Sequence, residues 1–312
     1  MNFPTPTSGN TRVQDQEIAL PAAPGFVFEN VVGGGGMGIV YAVRDVESGK
    51  RLALKTVAPP YANDVGIVGR FLREVAFAAR VMHPNVAPMR GHGRLADGRP
   101  FVLMELYQGQ TLGTIVRKDG PLPLPRAIEI VDQVLSGLDA VHAAGIVHRD
   151  LTPENVFVET NSEGRDRVIL LDFGFAHEPG VDTGDGVTLD SRGALVGTLG
   201  FMSPEQMMRG RAITTRSDLF VAAVLLYFSL SGKLPFRGDA DIDVHVAFLR
   251  RSPVPLRLER RNVPRSLDLV LERALAKHPD ARFASASEMR AALAGARQQV
   301  SPQSVSGAIE MR

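Results

Sequence analysis

A chain of 312 residues whose 35 basic and 34 acidic side chains leave a formal charge of +1 carries no strongly positive field, so nucleic acid is not an expected partner. It holds no cysteine, which excludes a disulfide framework and thiolate metal sites and agrees with a reducing cytoplasm. The length suits one large core or two small ones, and no apolar run reaches the roughly 18 residues that a membrane span requires.

Residues 1–24, with Pro4, Pro6, Pro21 and Pro24 among small polar residues, lack apolar periodicity and predict a flexible arm. Residues 1–20 show no basic start followed by an apolar core, so a secretory signal is not expected. Strand-like runs follow at residues 39–43 and 51–55, and Arg70-Phe71-Leu72-Arg73-Glu74-Val75 has helical spacing. Ahead of the first run lies Gly33-Gly34-Gly35-Gly36-Met37-Gly38-Ile39-Val40, where the lack of a Cβ lets backbone N–H groups approach a dense anion. Lys55 stands seventeen residues after Gly38, one of only five lysines against thirty arginines. That bias suggests a GC-rich bacterial genome and makes a lysine at this position hard to ascribe to chance.

From residue 110 on, helical patterns dominate. Ile128, Val131, Val134, Leu135, Leu138 and Val141 recur at spacings of three and four and predict one apolar face of a long helix. Residues 219–230 are apolar but too short for a membrane; Asp218 before them and Gly232-Lys233-Leu234-Pro235 after them predict a helix buried on all sides. Residues 294–312 turn polar again and predict a flexible tail. No internal repeat is present.

The chemistry concentrates in His148-Arg149-Asp150-Leu151-Thr152-Pro153-Glu154-Asn155, followed seventeen residues after Asn155 by Asp172-Phe173-Gly174. Carboxylate and amide oxygens suit a hard divalent cation, and an aspartate can accept a proton from a hydroxyl, so the set reads as a phosphoryl-transfer site. Downstream come Gly197-Thr198, Ser203-Pro204-Glu205, Ser217-Asp218 and Lys277-His278-Pro279-Asp280-Ala281-Arg282-Phe283.

In this order and at these separations the motifs resemble the eukaryotic-like (bacterial, Hanks-type) serine/threonine protein kinases over residues 25–293. The resemblance implies an α+β, two-lobed protein-kinase fold: a small β-rich lobe over about 25–104 and a larger, mainly helical lobe over about 108–293, with the active site in the cleft. It implies ATP with Mg²⁺, or Mn²⁺, as cofactors and serine or threonine hydroxyls of proteins as acceptors. Asp150 is then the catalytic base, Lys55 the phosphate contact paired with Glu74, and Asn155 and Asp172 the metal ligands. Val32, Gly33, Gly34, Gly35, Gly36, Met37 and Gly38 would cover the phosphates. Val40 and Ala53 would lie above the adenine, Phe157 below it and Met104 at its back, with the connector Glu105-Leu106-Tyr107 offering backbone hydrogen bonds. His148 and Phe173 would pack without doing chemistry. Many such kinases carry a membrane anchor after the kinase domain; no apolar run in residues 294–312 predicts one there.

Four positions depart from the family pattern, one of them Ser203, which stands where the closing motif of the activation segment usually has alanine. Thr152 stands where a lysine is usual in the catalytic loop, Phe157 is bulkier than the usual aliphatic residue, and Ala223 replaces a common glycine. Thr152 keeps a second reading open, a nucleotide-binding pseudokinase or weakly active scaffold. A small-molecule phosphotransferase is disfavoured, because Gly197-Thr198 and Ser203-Pro204-Glu205 resemble a protein-substrate platform. Thr183, Thr188 and Ser191 are candidate phosphorylation sites, and Arg149 beside the base could pair with a phosphate placed there.

Overall fold

A computed structural model describes residues 20–34, 37–172, 199–208, 210–236 and 248–298. Gly35, Gly36, Phe173, Gly174, Thr183, Thr188, Ser191, Gly197 and Thr198 lie outside the described residues.

The N-terminal part is a five-stranded antiparallel sheet in the order β1-β2-β3-β5-β4, formed by β1 (Phe26–Gly34), β2 (Gly38–Asp45), β3 (Arg51–Val57), β4 (Met89–Arg94) and β5 (Pro100–Glu105). Helix α1 (Val65–Ala78) lies against it, opened by Asp64, whose side chain accepts from the Ile67 N–H at 2.9 Å. Ile67, Phe71, Glu74 and Val75 share its buried stripe, which meets Val57 and Val102 of the sheet. A glutamate on that stripe cannot reach water freely and has to find a cation inside. Ala22 and Ala23, assigned to the arm by composition, are docked: the Ala96 N–H donates to Ala22 O at 2.8 Å and Ala23 is buried beside Tyr41 and Leu95.

The chain then crosses to a second layer through residues 106–109. Gly109 runs so close to the next sheet that a Cβ there would stand 2.1 Å from Val158 O, which leaves glycine alone able to make the crossing. The C-terminal part is mainly helical: α2 (Leu112–Asp119), α3 (Leu124–Ala143), α4 (Thr215–Ser231), α5 (Leu256–Glu259), α6 (Arg265–Ala274) and α7 (Ala286–Gln298). All six residues of the predicted stripe on α3 are buried. Helix α4 is apolar on every side and is the centre of this core; Thr214 and Ser217 form a capping box at its start, and Gly232 closes it at φ 68°. It therefore begins at Thr215, two residues before the Ser217-Asp218 pair expected to open it, and Asp218 sits inside its first turn. Helix α7 runs beyond residue 293: Ala296 is buried, and Arg290 binds Asp132 of α3 through two hydrogen bonds of 2.9 Å. Among the described residues no helix is long and apolar enough to cross a membrane.

Between the two parts a small sheet, β6 (Gln110–Thr111), β7 (Val156–Thr160) and β8 (Asp166–Leu170), lines the cleft. Its register pairs Val156 with Leu170, and the Leu171 N–H donates to Asn155 O at 2.8 Å. The hairpin thus brings Asn155, just before β7, beside Asp172, two residues after β8.

Candidate active site

Lys55 projects from β3, where it pairs with Val40 on one side and Val102 on the other. Its ammonium reaches Glu74 Oε1 at 2.6 Å and Asp172 Oδ1 at 2.7 Å, joining the sheet, α1 and the end of the β7–β8 hairpin. Burial works against the Lys55 charge, but the Asp172 and Glu74 carboxylates outweigh it and hold the ammonium firmly protonated. Glu74 is pushed upward by burial and by the Asp172 charge, against the pull of Lys55. Lys55 thus ties two carboxylates from separate elements to one side of the cleft.

The catalytic-loop residues take their shape from α4. Asp218 accepts the His148 and Arg149 N–H groups at 2.9 Å each, one on either oxygen, and lies 2.7 Å from His142 Nε2. Although burial disfavours its charge, the His142 ring and these backbone donors keep Asp218 below the ordinary carboxylate range. Gln206 holds the other side of the turn by donating to Arg149 O at 2.7 Å. Such bracing is needed, because Arg149 sits at φ 64°, a conformation costly for a long side chain. Asp172 at φ 62° is the other non-glycine residue at positive φ among the described residues. Both flank the cleft. His148 is wholly buried, and burial lowers its pKa, so it stays a neutral packing residue as the sequence suggested.

Asp150 follows this turn. Asn155 Nδ2 donates to Asp150 O at 2.8 Å and to Asp150 Oδ2 at 3.1 Å. Burial first, and then the Asp172 charge, raise Asp150 to about 7, against the Asn155 hydrogen bond. A carboxylate tuned near neutrality is suited to take up a proton. With its amide N–H groups engaged on Asp150, Asn155 has its carbonyl oxygen left for a cation, and Asp172 adds carboxylate oxygens; this all-oxygen donor set fits Mg²⁺ or Mn²⁺. Thr152 closes the intervening turn by accepting the Asn155 N–H at 3.1 Å. It is half-buried and brings a short neutral hydroxyl where the resemblance implies an ammonium.

The glycine run passes a separate test. Gly33, Gly34 and Gly38 all have ordinary negative-side or extended backbone, and a Cβ on them would come no nearer than 3.4 Å to any neighbour. The fold itself therefore tolerates side chains there. Their absence keeps open the face toward the cleft, as an approaching polyphosphate demands. Val32 is 46 % exposed on the strand leading into the run, and Met37 after it packs toward α1.

Two of the positions expected to meet the adenine are neighbours in the sheet. Ala53 pairs with Met104 across β3 and β5, and Met104 is half-buried against the α1 cluster. The Glu105 side chain turns back to Lys50 at 3.1 Å and to Arg90, while its backbone stands opposite Leu52 at the end of β5. Phe157 on β7 stands 6.1 Å from the Tyr107 ring at 42°, and burial raises the Tyr107 phenol to about 12. Phe157 thus brings an aromatic ring where the resemblance implies an aliphatic side chain.

Two distant motifs meet in the core. Glu205 forms a two-pronged ion pair with Arg282, at 2.7 and 2.8 Å, and accepts Ser217 Oγ at 2.6 Å. Arg282 is 2 % exposed and also donates to Ala276 O, Arg216 O and Lys277 O. The segment that leaves the cleft is thereby anchored at Glu205. Sequence reasoning named these residues without joining them, and it took Asp218 only as a helix opener. A lone carboxylate in the first turn of an otherwise apolar helix was the signal available for Asp218, since a buried charge needs donors.

Residues 26–293 match the protein kinase domain family. The chain belongs to that family. The kinase chain is 37 % identical over 281 residues to the serine/threonine-protein kinase pkn3 of Myxococcus xanthus, covering 89 % of this chain and 51 % of that protein. It is 37 % identical over 266 residues to the serine/threonine-protein kinase PknB of Mycolicibacterium smegmatis, covering 84 % of this chain and 41 % of that one. It thus spans about half or less of these relatives' length. Its fold matches the crystal structure of the Mycobacterium tuberculosis PknI kinase domain with a TM-score of 0.65 and 27 % identity, over 88 % of this chain and 96 % of the other. The two-lobed α+β fold expected from the motifs is the fold observed.

Proposed function

We propose that the kinase chain transfers the γ-phosphoryl group of ATP to serine or threonine hydroxyls of proteins, its own included. The carrying observation is Lys55 joined to both Glu74 and Asp172 across the cleft, with Asp150 raised toward neutrality beside Asn155. In this reading Lys55 holds the α- and β-phosphates, Glu74 fixes Lys55, and the backbone of residues 32–38 cradles the polyphosphate. Asp150 accepts the hydroxyl proton and aims the oxygen at the γ-phosphorus; the new O–P bond forms as the bond to the β–γ bridging oxygen breaks and ADP leaves. Asn155 and Asp172 would hold Mg²⁺ or Mn²⁺, which would supply positive charge to neutralise the phosphates. The bacterial relatives and the cysteine-free composition support a bacterial cytoplasm as its setting. The domain is taken as residues 25–293, with packing at its edges reaching Ala22 and Ala23 before it and Ala296 after it.

Radiolabelled ATP with the purified chain and a generic basic protein acceptor, with and without Mg²⁺, tests this directly. Label on the acceptor and on the chain, lost without divalent cation, is the expected result; nucleotide binding without any transfer favours the scaffold that Thr152 keeps in play. Lys55→Met should weaken nucleotide binding and depress turnover together, since the phosphate contact goes and Glu74 loses its cation. Isothermal titration and initial rates both unchanged would remove Lys55 from the site.

Thr152→Lys probes the departure itself. The added ammonium acts where negative charge develops on the transferring group, so kcat should rise with little change in the KM for ATP. A charge-assisted hydrogen bond contributes about 1.5 to 3 kcal/mol, or roughly ten- to a hundredfold in rate. An active parent slowed by the lysine would show that the site is adapted to threonine.

A further inference from the structure

Two cavities of about 520 and 590 Å³ open on the C-terminal part away from the cleft, and Lys277 lines both. The second begins at Pro204 and Glu205, where the segment leaving the active site is anchored; the first continues to α5 and α6. Lys277 is fixed between them: its ammonium lies 3.2 Å from the centre of the Phe236 ring and donates to Phe248 O. The two cavities meet at Lys277, which forms the sill of a shared groove; burial and the nearby Arg282 charge bring its pKa down to about 7, so the standing positive charge along the groove is that of the arginines.

Basic side chains outnumber acidic ones along it, although Glu205, Asp268, Glu272 and Asp280 also line it. Arg216 is paired with Asp280, and Arg257 lies 3.4 Å from Asp268. Arg211 in the second cavity, and Arg250 and Arg265 in the first, have no acidic partner among the described residues. Unpaired arginines on both sides of Lys277 suit a ligand long enough to span the sill with several anionic groups, rather than one small anion. Beside Arg265 the groove presents Leu269, 53 % exposed, and of the ring side chains that line it Tyr227 is buried and His278 is exposed. Aliphatic surface next to guanidinium groups favours a polypeptide over a nucleic acid, which would seek aromatic faces to stack on.

We propose that this groove docks an acidic, extended segment of the protein substrate, a reading that rests on the protein-kinase function above. The segment would be read outside the cleft, raising the local concentration of the acceptor without touching the reacting atoms.

The binding arm of the test needs no catalysis. A fluorescein-labelled peptide of alternating glutamates and leucines is titrated by anisotropy into the full chain, into Arg250→Glu/Arg265→Glu and into Arg211→Glu; Arg250→Gln/Arg265→Gln serves if the glutamates disturb folding. In the kinetic arm one acceptor peptide is phosphorylated with and without that sequence as a tail. The tail is expected to lower KM about five- to tenfold with kcat unchanged, and the arginine variants to remove that gain while the untailed peptide reacts as before. Binding without any phosphorylation would mean that the groove stands and the kinase reading fails. The proposal is overturned if the tail alters neither binding nor KM, if the variants affect tailed and untailed peptides alike, or if a single-stranded RNA oligonucleotide displaces the peptide as well as unlabelled peptide does.

Discussion

Asp150→Asn should lower kcat by about a hundred- to ten-thousandfold, the usual share of a positioned proton acceptor, while nucleotide affinity stays near that of the parent. The substitution keeps the shape of the side chain, and its amide oxygen can still accept from Asn155 Nδ2, now at 3.1 Å from Asp150 Oδ2. What disappears is the basic oxygen facing the acceptor. The loss can be separated from misfolding. In the folded chain Asp150 titrates at about 7, well above its ordinary 3.8, so its contribution to stability is present at low pH and is lost as pH rises through 7. A neutral asparagine escapes that loss, and at pH 8 the variant should melt no lower than the parent. Turnover at the parent rate, measured with labelled ATP, would show that the catalytic loop has been wrongly assigned.

Arg282→Ala should lower the melting temperature on the order of 10 °C. Removing one member of a buried ion pair costs about 3 to 5 kcal/mol, because the partner stays behind as an uncompensated charge. Here the partner is Glu205, 5 % exposed, which burial works to neutralise and which Arg282 keeps ionised. Arg282→Met combined with Glu205→Leu should recover part of the loss, since neither charge then remains, though the three backbone carbonyls that Arg282 serves stay unsatisfied. Calorimetry showing the single and double variants equally destabilised would mean that the carbonyl contacts, and not the ion pair, carry the effect. Activity should fall in both, because Glu205 anchors the segment leaving the cleft.

The parts legible in the sequence were those written in local spacing. The stripe of α3, the apolar α4 and the order of the cleft motifs all rest on neighbours within a few turns or on fixed separations, and the structure keeps them. The bracing of the cleft was not legible, because its members are linked only by the folded chain: Asp218 binds backbone seventy residues earlier, and Glu205 meets an arginine seventy-seven residues later. The backbone of Arg149 gave no sign either, since arginine has no bias toward positive φ and the conformation is imposed by Asp218 and Gln206. At the edges, composition saw prolines and polar residues, whereas single small side chains such as Ala23 and Ala296 decide where packing begins and ends.

The β7–β8 hairpin works as a caliper. Its jaws are Asn155 and Asp172, and their spacing is set by the Val156–Leu170 pairing at the base, not by the tip at residues 161–165. Inserting residues at the tip lengthens the handle and leaves the jaws where they are. Slipping the pairing by one residue turns Phe157 and its neighbours to the opposite face and carries one jaw past the other. The tip can therefore vary freely between related chains or accept a tag, while the first rung of the ladder is as constrained as the ligands it spaces.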